Sequence, residues 1–184
     1  MNPKIKNFLV TGSPGCGKTT ILLDIKNELE SQGFKAGGFV TTEIRPKRSR
    51  TGFFIQDLIS GDVRVLAHIE LPSKTRIGKY GVSLANLEAI GVGSLKKSLA
   101  LKVDFVVIDE LGPMELFSFN FQNIVRHLLT TQKVVLGSIH YRSKHKFLLE
   151  VRERRDTTII EITRENREQE RTILENKILS LLAP

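Results

Sequence analysis

The chain has 184 residues, 40% of them apolar, which suits one domain over 1–184 with a real core and excludes a disordered chain. No apolar run approaches the length of a membrane span and no signal-peptide core opens the chain, so a cytoplasmic protein is expected. Lysine and arginine number 28 against 20 acids, a net charge of +8, and the one cysteine, Cys16, excludes an internal disulfide and fits a reducing compartment.

The first predicted elements are a strand at "IKNFLV", a glycine-rich turn, and a helix at "TTILLDIKNELES" with Ile21, Leu22, Ile25 and Leu29 on one face and Gly33 as its stop. Between them, Gly12, Gly17, Lys18 and Thr19 fit G-x-x-x-x-G-K-[ST], the phosphate-loop pattern. A loop that turns its backbone N–H groups onto phosphates favours glycine, because a Cβ would obstruct the approach. The helix start adds unpaired donors and a positive dipole end. Residues 12–20 (Gly12, Ser13, Pro14, Gly15, Cys16, Gly17, Lys18, Thr19 and Thr20) are therefore expected to bind nucleotide, with Lys18 on the β- and γ-phosphates and Thr19 on Mg²⁺.

"AGGFVTTEI" (36–44) reads as the second strand, followed by the polar connection "RPKRSR" (45–50). Residues 52–84 break into the β-like pieces "TGFFIQDL", "ISGDVRVLAHI" and "GKYGVSLANL", too short for crossover helices between them. They predict a small antiparallel β insertion around 45–84. "ANLEAIGVGSLKKSLAL" (85–101) returns to helix, weakened at Gly91 and Gly93.

"VDFVVID" is a near-continuous apolar run, as a strand covered on both faces requires. Helix, strand, helix and strand follow at "FSFNFQNIVRHLLTT", "KVVLGSI", "RSKHKFLLEVRER" and "TTIIEI". A terminal amphipathic helix carries Leu174, Ile178, Leu181 and Leu182 on one stripe. The alternation predicts an α/β fold, a mainly parallel phosphate-loop sheet flanked by helices.

The apolar run at Val107 and Ile108 ends in Asp109-Glu110, resembling a Walker B element, and continues through Leu111 and Gly112. Asp109 is expected to hold Mg²⁺ beside Thr19, and Glu110 to activate a water for attack on the γ-phosphorus. Ser138 reads either as a plain strand serine or as a partner of the γ-phosphate or the water, and His140 as a surface histidine. A hydrolase also needs positive charge on the transferring group. Arg76 in "TRIGKYGV" is the preferred candidate over Arg45, Arg48 and Arg50, so the expected catalytic set is Lys18, Glu110 and Arg76.

With "GSPGCGKTT", "GFVTTEIR", "GKYGV", "VVIDELGPME" and "ITRENRE" in this order, the chain resembles, over essentially its whole length, the nucleoside-triphosphatase family known from thermophiles with a human cancer-related relative. The resemblance implies a compact RecA-like domain that hydrolyses several nucleoside triphosphates with Mg²⁺ and selects weakly among bases. Ser13 stands where proline is usual, Leu111 replaces a common isoleucine, and "SIHY" differs from the more usual Thr-Ile-Pro. A phosphate-loop kinase and an RNA-associated nucleotide-binding module are the alternative readings. Scattered basic residues, without aromatics between them, do not favour nucleic acid, and a monomer is expected. No N-K-x-D guanine motif occurs.

Overall fold

The computed structural model describes residues 4–46 and 49–183. One nine-stranded sheet organises the molecule, in the order β5-β6-β4-β3-β2-β7-β8-β1-β9. The strands are β1 (Asn7–Thr11), β2 (Ala36–Ile44), β3 (Gly52–Asp57), β4 (Val63–His68), β5 (Arg76–Ile77), β6 (Tyr80–Val82), β7 (Phe105–Leu111), β8 (Val134–Ile139) and β9 (Thr157–Glu161). β2, β7, β8, β1 and β9 pair in parallel, and β3 to β6 extend the sheet antiparallel from the free side of β2. The mainly parallel sheet and the antiparallel insertion are both as expected, and β8 lies between β1 and β7.

Strand alternation sorts the side chains into two cores. Phe105 and Val107 of β7 join Val134 and Leu136 of β8 on the face covered by α1 (Lys18–Ser31) and α6 (Arg167–Leu182). Val106 and Ile108 join Val135 and Ile139 on the opposite face, under α3 (Gly93–Ala100), α4 (Phe119–Thr130) and α5 (Lys146–Arg152). A strand buried on both faces has no polar positions to alternate with, which is why "FVVI" is unbroken. Ile21, Leu22, Ile25 and Leu29 of α1 are all fully buried, at the 3.6-residue spacing that defines one helical face.

Two boundaries differ from the sequence expectation. "SLANL" is not a strand end: Ser83 accepts a hydrogen bond from the Asn86 amide and starts the short helix α2 (Leu84–Asn86). The following helix widens to π geometry over Leu87–Val92, where Gly91 passes close to Ile55 of β3: a Cβ at Gly91 would lie 3.3 Å from the Ile55 Cδ1. α6 also begins at Arg167, three residues later than the helix that "RENREQERTILENKILSLL" suggests. The Thr163 amide donates to Asn166 Oδ1 at 2.8 Å, holding that stretch in a turn.

Candidate active site

The loop between β1 and α1 is shaped by contacts that leave no room for side chains. A Cβ at Gly12 would lie 2.4 Å from the Ile162 carbonyl oxygen, and one at Gly17 would lie 2.8 Å from Cδ of Arg167. Gly17 also holds φ at 102°, in the left-handed region that glycine enters without strain. As the N-cap of α1 it supplies no side-chain acceptor, so the first-turn amides keep their donors for an anion. Lys18 Nζ folds back over the mouth of this loop, donating to the carbonyls of Gly12 at 3.0 Å and Ser13 at 3.3 Å. Ser13, Pro14 and Gly15 are exposed at the tip, as is Thr20, the third residue of α1, while the Cys16 side chain is buried in the core beneath.

The acids meet this loop from β7. Asp109 is 2% exposed and receives three hydroxyls: Ser138 Oγ at 2.6 Å on Oδ1, and Thr19 Oγ1 at 2.7 Å and Thr41 Oγ1 at 3.4 Å on Oδ2. Burial pushes its pKa up, and the hydrogen bonds from Ser138, Thr19 and Thr41 oppose that rise. A hydroxyl and a carboxylate side by side are hard oxygen donors that suit Mg²⁺. Among the described residues no group of three His, Cys, Asp or Glu side chains converges to hold a metal. The donor set therefore fits a Mg²⁺ that arrives with phosphates as its remaining ligands, held by Thr19 and Asp109, rather than a closed protein cage.

Glu110, the next residue of β7, is half-buried. Burial, then the charge of Asp109, raises its pKa to about 7, with Lys18 acting the other way. Beyond it lies an acid that sequence reasoning gave no role. Glu115 is buried, and burial together with the charge of Glu110 raises its pKa to about 8. Gly112 makes the space that both acids use: a Cβ there would lie 2.9 Å from Cγ of Glu110 and 3.1 Å from Oε2 of Glu115.

The structure brings Lys18, Thr19, Asp109 and Ser138 together, and Glu110 with them, but not the whole expected set. Val107, Ile108 and Leu111 are fully buried core side chains that carry the strand. Arg76 is not brought to the phosphate loop. It lies exposed on β5 with six strands between it and β1, and its guanidinium donates to the Lys79 carbonyl at 2.6 Å. Arg45 pairs with Glu43, and Arg50 with Glu43 and the Tyr80 hydroxyl; Arg48 lies outside the described residues. Arg167, by contrast, packs over Gly17 of the loop. Its signal was present only in "ITRENRE", a segment quoted for the resemblance without a role. His140, just past β8, accepts the Ser143 amide on Nδ1 at 3.1 Å, and burial lowers its pKa.

A family model described as NTPase matches residues 7–179. Among curated relatives, a nucleoside-triphosphatase THEP1 of Thermofilum pendens is 41% identical over 97% of this chain and 98% of its own length. One of Methanosarcina acetivorans is 41% identical over 94% and 97%. Among solved structures, the crystal structure of THEP1 from the hyperthermophile Aquifex aeolicus superposes with a TM-score of 0.80 at 33% identity, covering 97% of this chain and 99% of that one. The solution structure of a human cancer-related nucleoside triphosphatase gives 0.79 at 32%, covering 97% and 98%.

Proposed function

The chain belongs to the nucleoside-triphosphatase family and is a nucleoside-triphosphate phosphatase; we propose that it uses Mg²⁺ and accepts several bases, yielding diphosphate and phosphate. The observation that carries this reading is the meeting of Thr19 and Ser138 on the Asp109 carboxylate, beside a loop that Lys18 closes. Lys18 would leave its two carbonyl partners for the β- and γ-phosphate oxygens, neutralising charge that spreads over them during transfer. Thr19 and Asp109 would hold Mg²⁺, whose charge would supply electrostatic stabilisation of the leaving diphosphate. Glu110, with a pKa near neutrality, is suited to take the proton of the attacking water. Arg167, rather than Arg76, supplies further positive charge beside the phosphates.

The reading extends to a monomeric enzyme in the cytoplasm, a reducing compartment in which Cys16, buried and unpaired, stays a thiol. Among the described residues no helix is long and apolar enough to cross a membrane. The test is incubation with each NTP and Mg²⁺, with and without phosphoryl acceptors and with RNA. Hydrolysis predicts phosphate release at full rate with no acceptor, abolished by chelation. A phosphorylated acceptor would establish a kinase, and many-fold stimulation by RNA would establish the RNA-associated module.

A further inference from the structure

A cleft of about 320 Å³ opens beside the phosphate loop, on the side away from the catalytic acids. Its walls are Ser13, Pro14 and Cys16 of the loop, Tyr141 beyond β8, and the stretch from Glu161 to Glu165 that joins β9 to α6. In the sheet, β7 with Asp109 and Glu110 lies two places to one side of β1, and β9 lies next to β1 on the other. A triphosphate lying across the loop with its γ end at those acids therefore sends its α end toward β9. The cleft is where the next part of the molecule must go.

Its chemistry agrees. Two carboxylates, Glu161 and Glu165, line the cleft against one guanidinium, Arg164, so the walls are negative in balance and suit an uncharged group rich in donors better than a phosphate. The Tyr141 hydroxyl donates to Glu161 Oε1 at 2.7 Å, which fixes the carboxylate while using only part of its acceptor capacity. The floor is rigid as well: Asn166 Nδ2 donates to the Glu161 carbonyl at 2.9 Å and Asn166 Oδ1 accepts from the Thr163 amide at 2.8 Å. Glu161 is the last residue of β9, at the carboxyl edge of a parallel sheet, the edge where an acidic side chain can accept sugar hydroxyls.

We propose that this cleft is the nucleoside subsite of the enzyme and that Glu161, oriented by Tyr141, accepts the sugar hydroxyls of the substrate. The assignment rests on the phosphatase reading of the phosphate loop. It gives the enzyme a preference for ribonucleotides over 2′-deoxynucleotides that is independent of the base. A hydrogen bond from a sugar hydroxyl to a charged acceptor corresponds to roughly a tenfold difference in affinity.

The experiment compares wild-type, Glu161→Ala and Tyr141→Phe protein in binding ATP and dATP analogues with a non-cleavable β–γ linkage, with inorganic tripolyphosphate as the probe of the loop alone. Melting temperatures confirm that each variant is folded. The expected result is a ribonucleotide preference of about tenfold in wild type, lost in Glu161→Ala and reduced in Tyr141→Phe, with tripolyphosphate affinity unchanged. A preference that survives in Glu161→Ala, or that wild type lacks, overturns the subsite assignment while leaving the loop reading intact. Failure of tripolyphosphate to compete with nucleotide in wild type overturns the loop reading itself, and the subsite with it.

Discussion

At the scale of single residues, the reaction depends on how burial and charge set the acids apart. Asp109 is enclosed by hydroxyls, whereas Glu110 sits partly open with its pKa raised to about 7. In the proposed role Glu110 acts as the carboxylate, so as pH falls through about 7 the acid form accumulates and turnover should decline with it. A kcat–pH profile under saturating substrate should show that acid limb, and a rate flat well below neutrality would deny Glu110 the role. Arginine supplies a second residue-level test. Arg167→Ala should lower kcat by about 10-fold or more, while Arg76→Ala leaves it unchanged, because Arg167 packs over Gly17 of the loop and Arg76 has six strands between it and β1. The reverse pattern would return the role to the insertion. In the sequence Arg76 stands out because it precedes the glycine turn of "TRIGKYGV"; its distance from β1 is a property of strand order, which local residues do not encode. Glu115 was illegible for a related reason. An acid reads as solvated unless the fold buries it, and here Gly112 opens a space between β7 and the following turn that holds it beside Glu110.

At the scale of elements, legibility followed the strength of the local pattern. β7, α1 and the phosphate loop were readable because a two-face apolar run, a 3.6-residue stripe and a glycine–lysine–threonine spacing each admit few other structures. The helix after the insertion was harder: its π turn answers to the close approach of Gly91 and Ile55, a tertiary contact. α6 shows how a distant element supports the site. Leu174 and Ile178 are fully buried against the α1 side of the sheet, and the same helix begins with Arg167 over Gly17. Leu174→Ala removes a buried side chain from this joint, and denaturant unfolding should show a loss of about 2–5 kcal/mol. A loss below about 1 kcal/mol would mean that α6 does not anchor the loop through this core.

At the scale of the whole molecule, one sheet edge gathers the parts of the proposed site. Thr41 on β2, the acids on β7, Ser138 on β8, the loop after β1 and the turn after β9 all emerge at the carboxyl ends of parallel strands. Among the described residues the antiparallel insertion widens the sheet beyond β2 without adding one to the Asp109 cluster, which is completed on that side by Thr41 of β2 and on the other by Ser138 of β8. A net charge of +8 gives the molecule as a whole a field favourable to a polyanion, so kcat/KM should fall as ionic strength rises, measured at constant free Mg²⁺. Insensitivity to salt would show that the charge is too dispersed to steer the substrate.

The most direct measurement is a single-turnover experiment on Glu110→Gln with enzyme in excess over radiolabelled nucleoside triphosphate and Mg²⁺. The account predicts half-saturation at the wild-type enzyme concentration, because Lys18, Thr19 and the loop amides still hold the phosphates, with cleavage slowed by about 10²–10⁴. Cleavage at a near wild-type rate would contradict it, since the proton of the attacking water would then be going to a group other than the carboxylate that follows Asp109.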